Sequence, residues 1–231
     1  LIFTLPLIRT YKQKYGRERG PEDTIGHIVG GVFSEVGHTM REIAHNKTVL
    51  VYMVAFFFYI DAVNTVISMS TSYGTQLGID STQLVVALLV TQFVAFPCSI
   101  IYGKLAGRFG SKTMITAAVV AYMCIVFFAA FFLRAALEFW ILAILVGMFQ
   151  GGIQALSRSY YGKIIPKDHA NEYYGFYDIF GKTASIIGTF LVATTTSLTG
   201  NASIGVLSIA ILLAVALVFL LLQKDPTKGS T

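Results

Sequence analysis

Residues 114–133 read MITAAVVAYMCIVFFAAFFL, a stretch that contains no charged side chain. A helix needs roughly 20 mostly apolar residues to cross the hydrocarbon core of a bilayer, so this stretch predicts a transmembrane helix. Five other stretches are comparably long and apolar. The six predicted spans are 49–69, 84–102, 114–133, 139–161, 173–198 and 204–222. We therefore expect an all-α, polytopic membrane protein with six transmembrane helices.

The composition also favours a membrane protein over a soluble one. Hydrophobic residues make up 55% of the chain and charged residues only 13%, whereas a soluble domain carries about a quarter charged residues. All but two of the 17 Lys and Arg residues lie in alternate connections: the N-terminal tail, residues 103–112, residues 158–167 and the C-terminal tail. This bias predicts that both termini are cytoplasmic. It also explains the net charge of +5 without a nucleic-acid partner.

The helical bundle is predicted to occupy residues 47–223, between a cytoplasmic segment, 1–46, and a cytoplasmic tail, 224–231. Residues 1–8 are apolar but too short to cross a bilayer. Because basic residues follow them, we expect this stub to be the end of a preceding transmembrane helix. Between residues 25 and 43 apolar side chains recur at helical spacing, which predicts an amphipathic helix on the membrane surface or against the bundle.

Polar side chains mark one face of the first predicted span. They are Asp61, Asn64, Thr65, Ser68 and Ser72, at steps that place them on the same side of a helix. An ionisable group deep in an apolar helix typically belongs to a substrate or ion pathway. We interpret Asp61 as a substrate or proton site, and the alternative is a structural hydrogen bond to a neighbouring helix.

Two later spans carry similar groups. Gln150, Gln154 and Arg158 follow at four-residue steps on the fourth span, and Asp178 and Lys182 are four residues apart on the fifth. The amides could line a pathway or join helices, and Arg158 could extend to the membrane surface. Asp178 and Lys182 are predicted to form an ion pair that either neutralises itself within its helix or opens onto a cavity. The candidate pathway residues are therefore Asp61, Asn64, Gln150, Gln154, Arg158, Asp178 and Lys182.

Small residues recur every four positions beside these polar groups. The two rows are Ala143, Gly147, Gly151, Ala155 and Ser159 on the fourth span, and Gly181, Ser185, Thr189 and Ala193 on the fifth. Rows of small residues let helix backbones approach closely. We therefore expect both rows to pack tightly against neighbouring helices.

The connection between the second and third spans reads GKLAGRFGSK over residues 103–112. It is not a phosphate-binding loop, because Ser111 rather than Gly precedes Lys112 and membrane spans lie on both sides. It resembles the loop signature of the major facilitator superfamily, although Gly107 stands where that signature has Asp. The matching residues are Gly103, Leu105, Arg108, Gly110 and Lys112. We expect a cytoplasmic loop that acts in conformational switching rather than in ligand binding.

Residues 150–182 narrow this resemblance. They read QGGIQALSRSYYGKIIPKDHANEYYGFYDIFGK and look like the branch that contains the autophagy-related vacuolar amino-acid effluxers and their prokaryotic relatives. The resemblance covers essentially the whole chain. It implies helices seven to twelve of a twelve-helix fold, in two three-helix repeats, with the first, second, fourth and fifth spans lining a central cavity and the others outside.

We therefore predict the C-terminal half of a secondary active transporter for a small solute, with amino-acid efflux as the finer hypothesis. Alternating access is what the resemblance implies. The expected partners are the solute, protons, the lipid bilayer and an N-terminal half or a second copy of this chain. No cofactor, metal or nucleic acid is expected. The expected location is a prokaryotic cell membrane, with the vacuolar membrane as the alternative.

Three alternatives stay open at this point. An integral-membrane enzyme would need a nucleophile–base pair or a metal-binding cluster, and the sequence shows neither spacing, so we predict that the chain is not an enzyme. A non-transporting scaffold or receptor would have polar stripes that pack shut. A self-sufficient six-helix transporter would work as a homodimer.

Overall fold

The computed structural model describes residues 40–76, 78–133, 135–167 and 170–225, together with residue 37. Within these residues the regular structure is helical. The helices are α1 (Lys47–Gln76), α2 (Ser81–Phe109), α3 (Ser111–Phe132), α4 (Ala136–Ile164), α5 (Ala170–Thr183), α6 (Ile186–Thr199) and α7 (Ala202–Leu222). Residues 40–45 are helical as well. Residues 1–8 and most of the predicted amphipathic helix lie outside the described part.

The predicted fold class is confirmed. Six stretches are long and apolar enough to cross a membrane: Lys47–Thr75, Ser81–Phe109, Ser111–Phe132, Ala136–Ile164, Ala170–Thr199 and Ala202–Leu222. The second and fourth continue well past their predicted ends, to Phe109 and Ile164. Basic side chains near these ends can reach water while their aliphatic stems stay on apolar surface. Hydropathy alone therefore underestimates the length of these helices.

The prediction of a loop over residues 103–112 is wrong for most of these residues. Residues 103–109 complete α2, residues 111–112 begin α3, and only Gly110 separates the two helices. Gly110 has φ +89°, and its N–H donates a hydrogen bond to the carbonyl of Ala106. Glycine adopts a positive φ without the steric cost that a side chain brings. One residue is therefore enough to reverse the chain direction at this end of the bundle, which we call the tail end because residues 223–225 lie there too.

The first small-residue row packs α4 tightly against α2. A Cβ added at Gly147 would lie 2.7 Å from the carbonyl oxygen of Thr91, and one at Gly151 would lie 2.6 Å from that of Ala95. A side chain at either position would force the two backbones apart. The predicted close packing is confirmed for the first part of the row, whereas Ala155 and Ser159 at its other end are exposed.

The last helix, α7, lies against α1, α3 and α6. Its buried side includes Ile209 and Leu213, and its opposite side exposes large apolar side chains such as Ile211 and Leu221. Without water in a bilayer core, an apolar exposed face suits contact with lipid. The helix therefore joins the core of the six-helix unit and also presents a surface to the membrane.

The fifth predicted span, 173–198, is not one continuous helix. α5 ends at Thr183 and α6 begins at Ile186. Ser185, between them, has φ +96°. A left-handed conformation costs a residue with a side chain roughly 1–2 kcal/mol. The neighbouring helix α1 supplies the contacts that stabilise this break.

Candidate functional site

A broad depression lies where α1, α4 and α5 meet. Its volume is about 460 Å³, and it opens to the outside of the described bundle. The lining residues are Phe56, Ile60, Asn64, Gln154, Ala155, Arg158, Tyr177 and Gly181. Three of the predicted pathway residues, Asn64, Gln154 and Arg158, are thus brought together from two helices.

Arg158 supplies the positive charge of the depression. Its Nη1 lies 2.8 Å from Oδ1 of Asp178 on α5, and the two side chains are 56% and 46% exposed. The guanidinium also lies over the rings of Tyr174 and Tyr177, at 5.1 and 5.9 Å from their centroids. Aromatic faces attract cations through the ring quadrupole. Arg158 lines the depression, and its partner Asp178 lies beside the lining residues, so a cation and an anion are both partly exposed here.

The predicted pairing of Asp178 with Lys182 is corrected by this geometry. In the described part of the chain Asp178 pairs with Arg158 on another helix, and Lys182 is exposed and forms no ion pair. The planar guanidinium fits a carboxylate better than a flexible ammonium does. The i,i+4 spacing on α5 permitted the predicted pair, but α4 brings a stronger partner to the same carboxylate.

A buried network of hydroxyl groups joins α1 to α4 behind Arg158. Tyr52 donates a 2.9 Å hydrogen bond to the carbonyl of Ser157, and the hydroxyls of Tyr59 and Ser157 are 2.7 Å apart. The Tyr52 and Tyr59 hydroxyls lie 3.1 Å from each other, and all three residues are fully buried. Because Ser157 precedes Arg158 on α4, this network fixes where the guanidinium emerges.

Sequence patterns did not single out these aromatic groups. Phe56 and Tyr177 stack across α1 and α5 with ring centroids 4.1 Å apart, and together they form an aromatic wall of the depression. A signal was available, since Tyr52, Phe56 and Tyr59 fall at helical steps on one face of α1. Aromatic residues at such spacing are common in any apolar core, which is why the pattern alone did not identify a site.

Asp61 lies beside the depression and is fully buried. Its Oδ1 accepts a 2.6 Å hydrogen bond from the backbone N–H of Ser185, and both of its oxygens lie 3.1 Å from the backbone nitrogen of Gly188. The Thr65 hydroxyl donates a further bond at 3.4 Å. The carboxylate therefore caps the N-terminus of α6, where unpaired N–H groups and the helix dipole favour negative charge. These are hydrogen bonds to a neighbouring helix, and a pathway role for Asp61 stays a prediction.

The second small-residue row does not pack as one face. The close approach falls on Gly188, where a Cβ would lie 2.2 Å from Oγ1 of Thr65 and 3.1 Å from Oδ1 of Asp61. At Gly181 the nearest atom, from Phe56, is 3.6 Å away. The row was predicted for a continuous helix, and the break at Ser185 changes the direction in which later residues point.

Gln150 lies apart from the depression. It lines a smaller cavity of about 50 Å³ among α1, α2 and α4, together with Ser70 and Thr91. Gln150 is 9% exposed, and its Oε1 has no hydrogen-bond partner among the described residues. The structure thus separates Gln150 from Gln154, although the two are one helical turn apart.

Two lysines tie the tail end of the bundle together. Lys112 donates a hydrogen bond to the backbone carbonyl of Gln223, at the end of α7. Lys163 donates one of 3.1 Å to the hydroxyl of Ser111. Of the loop-motif residues, Lys112 therefore links α3 to α7. Gly103 and Arg108 are exposed at the end of α2, Leu105 is half-buried there, and Gly110 makes the turn.

Residues 1–229 match the family described as vacuole effluxer Atg22 like. The chain belongs to this family. An uncharacterised MFS-type transporter of Bacillus subtilis, YxiO, is 49% identical over 226 residues, which cover 98% of this chain and 51% of that protein. Autophagy-related protein 22 of Saccharomyces cerevisiae is 29% identical over 166 residues, which cover 67% of this chain and 31% of that protein. The chain spans about half the length, or less, of these relatives.

Membership in the Atg22-like family confirms the resemblance to the effluxer branch and its prokaryotic relatives. Autophagy-related protein 22-1 of Aspergillus niger is more distant, at 24% identity over 224 residues, 90% of this chain and 36% of that protein. Together with the six apolar helices, these relatives support a multi-pass membrane protein of a transporter family.

Proposed function

We propose that this chain is the C-terminal half of a secondary active transporter, rather than an enzyme, and that it moves a small solute by alternating access. The observation that carries the proposal is the accessible ion pair of Arg158 and Asp178 at an open depression with two amide side chains. A charged group in an apolar bundle is costly and is kept where it meets water, a partner or a solute. This pair is open enough to exchange its internal partner for a solute.

We further propose an amino acid as the solute and efflux as the direction. The carboxylate of a zwitterion fits the guanidinium of Arg158, which binds carboxylates with two parallel hydrogen bonds. Its ammonium fits Asp178. The stacked rings of Phe56 and Tyr177 offer an apolar wall for a side chain. The family description, vacuole effluxer, supports the direction, and we propose protons as the coupling ion.

The open side of the depression supports the half-transporter role. Six helices provide one wall, and a second set of helices is needed to enclose a solute during alternating access. The chain covers 51% of YxiO, so a comparable length of that relative lies outside the matched part. We propose that an N-terminal half covers the depression, with a second copy of this chain as the alternative. We also propose a prokaryotic cell membrane as the location, with cytoplasmic termini.

The test is solute flux in proteoliposomes that contain the full-length protein, with a panel of amino acids and with or without a proton gradient. Arg158→Gln removes the cation and keeps a polar side chain, and it is expected to lower the transport rate at least about tenfold. Arg41→Gln removes an exposed arginine outside the depression and is expected to transport normally. If Arg158→Gln transports like the wild type, the depression is not the solute site.

The same preparation separates a transporter from a scaffold or receptor. Gln154 is exposed in the depression, so a cysteine at that position should react with a water-soluble maleimide. A transported amino acid should slow this reaction. A scaffold predicts no protection by any solute and no flux.

A further inference from the structure

We propose that Asp61 is a positioning residue: it holds α6 in place on α1 while α5, which carries part of the solute site, pivots about residues 184–185. The inference rests on the proposed function, because it assigns the moving part to the depression. It gives Asp61 a role in transport without contact between its carboxylate and the solute.

At the break, backbone N–H groups donate their hydrogen bonds to Asp61 rather than to carbonyl groups of the helix. The N–H groups of Ser185 and Gly188 both donate to this carboxylate. The regular ladder resumes where the N–H of Thr189 donates to the carbonyl of Ser185. A change of backbone angles at residues 184–185 would therefore break no ladder bond of α6. Hinges typically use a few residues at the end of an element to absorb such changes.

The α6 helix is fixed at both ends. Asp61 and Thr65 contact its first turn, where Gly188 leaves no room for a side chain. Near its other end, a Cβ added at Gly205 of α7 would lie 2.0 Å from Oγ1 of Thr196 and 3.1 Å from the carbonyl oxygen of Val192. Such close contacts against a glycine backbone resist sliding, since a shift produces overlap.

The α5 helix contacts the bundle through side chains and through a 3.1 Å hydrogen bond from the Tyr161 hydroxyl to the backbone carbonyl of Tyr173. Its links to the bundle include the exposed ion pair between Asp178 and Arg158 and the ring contacts of Tyr177 with Phe56 and of Phe180 with Phe57. Exposed ion pairs contribute little to stability, and stacked rings can slide past one another. Since Tyr177 lines the depression, a pivot of α5 would open or close the solute site.

Motion can be measured directly in the full-length protein. Spin labels at Leu50→Cys on α1 and Gly175→Cys on α5 report on the first half of the fifth span. Labels at Ser72→Cys on α1 and Thr194→Cys on α6 report on the second half, both pairs in a background with Cys98 and Cys124 replaced by alanine. On addition of an amino acid that the flux assay shows to be transported, the first distance is expected to shift by more than about 2 Å and the second to stay constant. Equal shifts in both pairs, or none in either, would overturn the pivot.

The role of Asp61 is tested by Asp61→Asn, which keeps the size of the side chain and removes its charge. Amide hydrogen exchange at residues 185–188 is expected to accelerate at least about tenfold. The maximal transport rate per folded transporter is expected to fall at least about fivefold, with KM within about twofold of the wild type. Asp80→Asn is the matched control, because Asp80 also caps a helix, at the start of α2, and should change none of these quantities.

Gly188→Ala disturbs the same contact from the other side and covers the case in which Asp61→Asn does not fold. It should accelerate exchange at 185–188 and lower the maximal rate in the same way. Gly175→Ala, where a Cβ meets no atom within 4 Å, is its control. Unchanged exchange in both variants overturns the proposal, and so does a raised KM with unchanged exchange, which would make Asp61 a solute contact. The exchange measurement needs no solute, so it stays readable if Arg158→Gln refutes the solute site.

Discussion

The backbone N–H of Ser185 donates a 2.6 Å hydrogen bond to the carboxylate of Asp61, which lies 124 residues earlier in the chain. Within the described part of the chain, Ser185 is the one residue other than glycine that has a positive φ. Strain and cap therefore occur at the same place. A helix broken inside an apolar bundle leaves N–H groups without partners, and the carboxylate of α1 satisfies two of them. The strained backbone persists because it aims those groups at Asp61.

Replacing Ser185 by glycine is expected to stabilise the protein by about 0.5–1 kcal/mol. Glycine adopts a positive φ without strain, and the larger conformational entropy that glycine loses on folding offsets only part of this gain. No hydrogen bond is sacrificed at the cap, since the Ser185 side chain makes none there. Thermal unfolding of the full-length protein in detergent measures the effect. Ser185→Ala keeps the Cβ and should show no gain, and an equal gain in both variants would contradict the strain argument.

Replacing Gly151 by alanine is expected to destabilise the protein by about 1–3 kcal/mol, because the added methyl group overlaps the carbonyl of Ala95 and forces α2 away from α4. Gly175→Ala is the matched helical control. It adds the same atom in open space and should be neutral or stabilising by up to about 1 kcal/mol. Denaturant or thermal unfolding compares the two, and equal effects would mean that the α2–α4 contact is looser than observed.

Much of this architecture follows from periodicity alone. An unbroken apolar run of sufficient length has few alternatives to a transmembrane helix, which is why all six spans were predicted. Helical spacing also placed Asn64 on one face of α1 and placed Gln154 and Arg158 on one face of α4, and these residues meet in the depression. Such predictions succeed because they depend only on geometry within one helix.

Two features that depend on the relative position of helices were missed. The break at residues 184–185 contains neither proline nor glycine, so it has no local signal, and its stabilising group lies on α1. The partner of Asp178 was predicted wrongly for the same reason, since the competing Arg158 is on α4. Spacing along one helix reveals which groups could pair, but the relative position of helices decides which groups do.

Replacing Ser157 by alanine is expected to cost about 1–3 kcal/mol, because the buried hydroxyl of Tyr59 then loses a partner at 2.7 Å. Adding Tyr59→Phe should recover part of this loss, since no unpaired hydroxyl then remains at that position. Unfolding of the single and double variants measures the coupling. A double variant that loses the full sum of the two single effects would show that the network contributes no cooperative stability.

Asp80 lies outside the membrane spans, and its cap should make the stability of the first turn of α2 depend on pH. Hydrogen bonds from Thr82, including one of 3.0 Å from its backbone N–H, hold the pKa of Asp80 below its ordinary value. A lowered pKa means that the cap stabilises the first turn of α2 above about pH 4 and that this contribution disappears as the pH falls through the lowered value. The amide hydrogen-exchange rates at residues 81–84 should be measured in Asp80→Ala and in the wild type. The ratio of the two rates should approach one at low pH. A ratio independent of pH would show that the charge of Asp80 is not involved.

The ion pair at the depression is expected to contribute little to stability and much to transport. Arg158 and Asp178 are 56% and 46% exposed, and exposed pairs contribute about 0–1 kcal/mol. A double-mutant cycle of Arg158→Gln and Asp178→Asn should therefore give a small coupling energy in unfolding measurements. In amino-acid flux the two losses should be strongly non-additive, because a solute that binds both charges is already lost when either is removed.

The parallel cycle of Asp178→Asn and Lys182→Gln separates this pairing from the one predicted along α5. Since Lys182 forms no ion pair in the described structure, the effects of these two substitutions on stability should add. A coupling energy above about 1 kcal/mol between Asp178 and Lys182, together with additive flux losses for Arg158 and Asp178, would mean that the carboxylate serves its own helix. The depression would then lack the paired charges on which the solute site depends.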